Sequence, residues 1–152
     1  MNKDFLKKLY LSHQECTLCP SPAEVSEFYV QLLSSLFADF RQLSNLSEEQ
    51  FIQFMNDLKA RLERLIRYDQ GSGDPAKTSE KFFDHLPSLV DKLQQDVTAM
   101  YEGDPAAKSR TEVIRTYPGF YAIAAYRIAH LLHVLGVNGI PRIITEHAHG
   151  RT

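Results

Sequence analysis

Tryptophan is missing from this chain, cysteine occurs only twice, and neither sign of charge prevails. Two thiols are too few for a disulfide framework of the kind that staples small secreted domains. With 17 Lys and Arg against 19 Asp and Glu, the net charge of -2 leaves no basic footprint for nucleic acid or an anionic membrane surface. No apolar run approaches the roughly 20 residues needed to span a bilayer, and Met1-Asn2-Lys3-Asp4 has no signal-peptide core behind it. The expectation is a cytoplasmic protein with neither nucleic acid nor membrane as partner. Strand signals are equally scarce, because β-branched and aromatic residues nowhere alternate with polar ones over more than a few positions. Hexapeptide repeats led by Ile, Leu or Val are absent as well.

What is present is helical periodicity. A chain of 152 residues with 43% hydrophobic content can close one core, so residues 1-152 are expected to form one all-α domain, an irregular multi-helix bundle. Ser21-Pro22-Ala23-Glu24 reads as a capping box with proline at the first helical position. The stripe Val25, Phe28, Tyr29, Leu32, Leu33, Leu36, Phe37 and Phe40 then predicts a helix to about Phe40. A second box, Ser47-Glu48-Glu49-Gln50, opens a helix with Phe51, Phe54, Met55, Leu58, Leu62, Leu65 and Ile66 on one face. These two helices should pack antiparallel. The glycines and proline of "DQGSGDPAKTSE", Asp69 to Glu80, predict a loop. Helical spacing resumes near Phe82, is interrupted at Pro87, and ends at Gly103. A short amphipathic piece around Val113 and Ile114, a helix from Tyr117 to Leu135, and a last short helix in "IPRIITEHAHGRT" complete the reading.

Chemistry-bearing motifs are few. In "HQECTLC", His13, Cys16 and Cys19 stand three apart and could chelate zinc or, as Cys-x-x-Cys, cycle as a redox pair. A structural zinc site usually needs a fourth ligand, and the redox motif needs a βαβ context, so two reduced thiols near a helix boundary is the favoured reading and no metal is assigned. No Ser-His-Asp order, phosphate-cradling glycine loop or His-Glu-x-x-His helix occurs. Arg127 and His130 are the unusual pair, polar groups inside the otherwise apolar "YPGFYAIAAYRIAHLL".

"GDPAA", followed fifteen residues after Asp104 by "GFYAIAAYRIAHLL", resembles the serine O-acetyltransferase family. There, Asp-Pro-Ala is followed at that distance by Gly-Phe-x-Ala-x-x-x-Tyr-Arg-x-x-His; the positions here are Asp104-Pro105-Ala106, Gly119-Phe120, Ala122, Tyr126-Arg127 and His130. The resemblance implies the N-terminal helical domain of an enzyme that converts acetyl-CoA and L-serine to O-acetylserine and CoA, the first step of cysteine biosynthesis. It also implies that a left-handed β-helix carries the acetyl-CoA site and the catalytic histidine beyond an Ile-His-Pro junction that this sequence does not contain. No catalytic residue is therefore assigned in this chain: His130, His133, His147 and His149 do not match that histidine, the domain binds no cofactor itself, and alone it is expected to be inactive. The family's substrate-binding aspartate corresponds to Asp104, whose purely structural alternative is an N-cap for the short helix after it. "GDPAK" at Gly73 to Lys77 is a decoy at the wrong distance from Gly119-Phe120, so Asp74 is assigned to loop capping.

By the same resemblance the chain is expected to form a homo-oligomer, and an O-acetylserine sulfhydrylase is a possible partner through a C-terminal tail absent here. A stand-alone helical oligomerisation module without catalysis is the alternative. Arg127 is expected to pair with a carboxylate or with helix-end carbonyls, since an unpaired buried charge is too costly to keep. His130 is expected to hydrogen-bond across a helix contact, and Ala122, Ala124, Ala125 and Ala129 to let neighbouring helices approach closely.

Overall fold

The computed structural model describes residues 1-16, 20-69 and 73-152. Among the described residues there are eight α-helices and no strand: α1 Lys3–Glu15, α2 Pro22–Leu36, α3 Glu48–Arg67, α4 Pro75–Asp84, α5 Leu86–Gly103, α6 Arg110–Thr116, α7 Pro118–Val134 and α8 Gly139–His149. The all-α expectation holds. Among the described residues no helix is long and apolar enough to cross a membrane.

One apolar core joins α2 through α8. Helix α2 buries Val25, Phe28, Tyr29, Leu32 and Leu33 along its predicted stripe, and α3 buries Leu58, Leu62, Leu65 and Ile66. Their antiparallel packing is fixed at the rim by Arg61 of α3, which donates to Glu27 at 2.6 Å and Gln31 at 3.0 Å on α2. The Ser47 capping box forms as read, with Gln50 N–H on Ser47 Oγ at 3.2 Å and Ser47 N–H on Gln50 Oε1 at 2.9 Å. The box at Ser21 does not form, because the side chain of Ser21 makes no cap bond, although Pro22 opens the helix as read.

Helix α2 also ends earlier than its stripe suggests. Phe37 leaves the helix at φ -130° and ψ 108°, which sets its ring edge-on to Phe120 of α7 at 5.3 Å. Ala38–Phe40 follow as a 3-10 turn closed by Arg41 at φ 56°. Burial of two large aromatic rings outweighs one more turn of α-helix here.

The predicted loop from Asp69 to Glu80 is corrected from Asp74 onward. Asp74 is an N-cap, accepting from Ala76 N–H at 3.0 Å and Lys77 N–H at 3.3 Å, and Pro75 opens α4. Proline at that first position lacks only an N–H that would have no helical partner anyway, so the same residue that signals a break starts a helix. Helix α4 packs on α3, burying Phe82 and tying Ser79 Oγ to the Lys59 carbonyl at 2.8 Å. His85 alone separates α4 from α5, its Nδ1–H donating to the Lys81 carbonyl, and Pro87 lies in the first turn of α5. The interruption at Pro87 is thus a restart.

Helix α7 is apolar on nearly every side because α5, α6 and α8 all pack on it. Ala124, Ala125 and Ala129 are buried as expected of close-approach positions, whereas Ala122 is only partly covered. Gly136, at φ +92°, turns the chain from α7 to α8. Helix α8 is then capped from a distance: the buried carboxylate of Asp69, just past α3, accepts from Asn138 and Gly139 N–H at 2.9 Å and from Ile140 N–H at 3.3 Å. A Cβ on Gly139 would collide with Asp69 Oδ1, so this close approach requires glycine.

Candidate functional site

The site begins where α5 stops. Asp104 adopts an extended backbone after Gly103, and the turn Asp104-Pro105-Ala106 is closed by Ala107 N–H on the Asp104 carbonyl at 3.1 Å. The side chain folds back over the same turn, with Oδ1 accepting from Ala106 N–H at 2.9 Å. Proline fixes φ at the turn, so the carboxylate has little freedom to swing away. Its other oxygen, Oδ2, accepts from the hydroxyl of Tyr117 at 2.5 Å. Tyr117 sits at the junction of α6 and α7, both of which are anchored in the core through Val113, Ile114 and Phe120.

Asp104 caps no helix N-terminus. That position before α6 belongs to Ser109, whose Oγ accepts from Glu112 N–H at 3.1 Å. The N-cap alternative for Asp104 is therefore set aside, while Asp74, assigned to loop capping, caps the N-terminus of α4.

Two donors on one partly exposed carboxylate favour its charged form. The Tyr117 hydroxyl, and after it the Ala106 N–H, hold the Asp104 carboxyl below its ordinary value. The reciprocal effect pushes the Tyr117 phenol up to about 12, chiefly because its proton is committed to Asp104. At neutral pH the pair is an ionised carboxylate and a neutral phenol. Each carboxylate oxygen carries only one of these bonds, so the group can accept more from a ligand donor.

Arg127 finds the carboxylate it requires. Its Nε donates to Asp96 Oδ2 and its Nη2 to Asp96 Oδ1 at 2.8 Å, a two-pronged bridge between α7 and α5. His130 does not bond across a helix contact; it is exposed and stacks on Tyr126 of the same helix, ring centroids 5.8 Å apart. Of the pair inside α7, one side chain ties two helices together and the other faces solvent. His13 and Cys16 are exposed at the end of α1, and Cys19 lies outside the described residues.

A second polar cluster, invisible in the sequence because its members are up to 122 positions apart, lies where α2, α7 and α8 meet. The buried Tyr29 hydroxyl donates to the Tyr121 carbonyl at 2.9 Å. Arg151 donates to the Tyr121 hydroxyl at 3.1 Å and stacks over that ring at 4.6 Å. The Tyr121 hydroxyl also lies 2.9 Å from His147 Nε2, a hydrogen bond in which the phenol donates when that nitrogen carries no proton. Burial, and secondarily the charge of Arg151, lower the His147 pKa, in agreement with this arrangement. Burial also raises Tyr29 and Tyr121.

Comparison with known proteins finds one family over part of the chain. Residues 74–125 match the family described as serine acetyltransferase, N-terminal, a span that holds both aspartate turns and the start of α7. The resemblance thus begins thirty residues upstream of Asp104. A plasmid-encoded serine acetyltransferase of Synechococcus elongatus is 40% identical over 77 residues, 51% of this chain and 24% of that protein. The serine acetyltransferase of Bacillus subtilis is 43% identical over 54 residues, 36% of this chain and 25% of that one.

Among solved structures, Entamoeba histolytica serine acetyltransferase 1 in complex with L-cysteine superposes with a TM-score of 0.67 at 28% identity, covering 84% of this chain and 47% of that one. Isoform 3 from the same organism, also in complex with cysteine, gives 0.69 at 26% identity over 82% and 45%. The chain spans about a quarter of those curated relatives and about half of the solved chains. Residues 74–125, which include the Asp104-Pro105-Ala106 turn, thus match the N-terminal region of the serine acetyltransferase family, and the helical fold around them is similar to that of solved serine acetyltransferases.

Proposed function

We propose that this domain supplies one substrate-binding carboxylate, Asp104, and subunit contacts to a serine O-acetyltransferase that converts acetyl-CoA and L-serine to O-acetylserine and CoA. The observation that carries the reading is the double anchoring of Asp104 by Ala106 N–H and the Tyr117 hydroxyl. An ionised carboxylate whose position is set before the ligand arrives meets an amino acid's ammonium group through charge-assisted hydrogen bonds without first being ordered. Tyr117, kept neutral, holds the carboxylate and takes no proton from it.

The acetyl-CoA site and the general base that deprotonates the serine hydroxyl belong to polypeptide outside these residues. The base-activated hydroxyl attacks the thioester carbonyl, and thiolate leaves as CoA. This domain alone is accordingly inactive. In the complete enzyme, Asp104→Asn should raise the KM for serine by at least about tenfold while leaving the KM for acetyl-CoA nearly unchanged. Equal effects on both substrates would mean that Asp104 only shapes its turn.

The subunit-contact part rests on α1. None of its residues is buried, and Phe5, Leu6, Leu9 and Tyr10 stand on one side of it, exposed. A helix apolar on one face, with none of its residues buried by the described part of the chain, suits assembly into a homo-oligomer. Light scattering should show self-association that Leu6→Glu with Leu9→Glu abolishes; a monomer at every concentration would remove this part.

A further inference from the structure

A groove that shares Tyr117 with the Asp104 turn opens where the end of α2, the chain after the 3-10 turn, the α6–α7 corner and Arg151 converge. Its polar lining includes Ser34, Gln42, Arg115, Tyr117, Tyr121 and Arg151, and no Asp or Glu is among its lining residues. Arg115 has no hydrogen-bond or ion-pair partner among the described residues. Arg151 is held in place by the ring and hydroxyl of Tyr121 and keeps its remaining guanidinium donors. Ser34 is 7% exposed, yet its hydroxyl has no protein partner among the described residues, and the side chain lines the groove. The residue is mostly covered while its hydroxyl is left accessible, so that hydroxyl is free to bond a ligand in the groove. Pro118, the first residue of α7, also lines the groove, so the N-terminal end of that 17-residue helix lies at its edge.

We propose that this groove is an anion site that takes a phosphate group, either free or as the terminal group of a phosphomonoester. Two guanidinium groups without carboxylate partners supply charge and forked donors, the Ser34 hydroxyl supplies a donor from the floor, and Gln42 supplies an amide from the rim. Donors converging from several sides suit a tetrahedral oxyanion better than a planar carboxylate, which offers two oxygens in one plane. Arg151 carries a positive charge that is already felt locally, since it helps to lower His147. Two acidic groups act on Tyr117 of the lining, Asp104 and Glu112; Asp104 is engaged by Tyr117 and Ala106, and Glu112 accepts from Lys108 N–H. The site stands independently of the serine-binding role of Asp104.

The test is a titration of the 152-residue chain with inorganic phosphate at constant ionic strength, followed by NMR of the arginine side-chain N–H groups and the backbone amides. Saturable shifts of Arg115, Arg151 and Ser34 that share one dissociation constant are expected. Arg115→Gln should weaken binding at least about tenfold and Ser34→Ala by about threefold. Arg142→Gln, an exposed arginine of α8 outside the groove, should leave it unchanged. Tighter binding of glycerol phosphate would identify a phosphomonoester as the ligand class, and equal or weaker binding would identify the free anion; either supports the site. Shifts that do not saturate, or that Arg115→Gln and Arg142→Gln reduce alike, would reduce the effect to screening of surface cations and overturn it. Acetate binding as well as phosphate would overturn the assignment to phosphate.

Discussion

The hydroxyl of Tyr117 donates to Asp104 Oδ2 at 2.5 Å, bridging 13 positions between the end of one helix and the start of another. Through this bond the α6–α7 corner orients the Asp104 carboxylate and lowers its pKa.

Tyr117→Phe keeps the ring and deletes that donor. The Asp104 pKa should then rise toward its ordinary value, because the larger of the two causes that lower it is gone. The sign follows: a carboxyl depressed in the folded state stabilises it at pH values above the unfolded pKa and loses that contribution as pH falls through the folded one. Tyr117→Phe should therefore flatten acid destabilisation below about pH 4. Carboxylate-detected NMR titration measures the shift directly, and an unchanged Asp104 pKa would show that Tyr117 does not control it.

The bridge between Arg127 and Asp96 should be more costly to break than to replace. Asp96 is largely covered and Arg127 about two-thirds covered, so Asp96→Ala leaves a guanidinium partly desolvated without its partner and should cost about 1–3 kcal/mol in denaturant unfolding. The pair Asp96→Leu with Arg127→Met should recover most of that loss. A double variant no more stable than the worse single would contradict this account.

Asp69 caps α8 across 70 positions, and Gly139 admits it. Asp69→Ala should cost about 1–2 kcal/mol by leaving N–H groups at the start of α8 without an acceptor. Gly139→Ala, which places a methyl group on Asp69 Oδ1, should destabilise as well, and the two losses should fall short of additive because both remove the same cap. Full additivity would place the cost of Gly139→Ala elsewhere.

His147 supplies a pH response of a different kind. Its folded pKa lies below the ordinary histidine value, so the folded state disfavours protonation, and stability should be constant above about pH 7 and decline as pH falls through about 6.5 and below. His147→Gln removes the titrating group, and its stability should change less between about pH 7.5 and about pH 5.5 than that of the parent. Equal slopes would remove His147 from the account.

Much of the helix layout was legible in the sequence because each signal is local. The Ser47 box, the Gly103 stop and the apolar stripes of α2 and α3 are set by neighbours within a turn or two. The failures come from tertiary competition or from residues with two meanings. Phe37 leaves its helix to meet Phe120, which no window of α2 can reveal, and Pro75 reads as a breaker yet opens α4. At the site, motif spacing singled out Asp104 and rejected Asp74. Its anchor Tyr117, the Asp96 partner of Arg127 and the Asp69 cap depend on how helices cross, and no periodicity points to them. His130 misled because an imidazole on an apolar helix resembles a buried polar group until the face it occupies is known.

Calorimetric binding of L-serine and of 3-hydroxypropionate, which lacks the ammonium group, to the complete enzyme and its Asp104→Asn variant tests the central claim most directly. The parent should prefer serine by at least about tenfold, and the variant should lose most of that preference. If Asp104→Asn weakens both ligands equally and leaves the preference intact, the carboxylate does not hold the ammonium group and the proposed role of Asp104 is wrong.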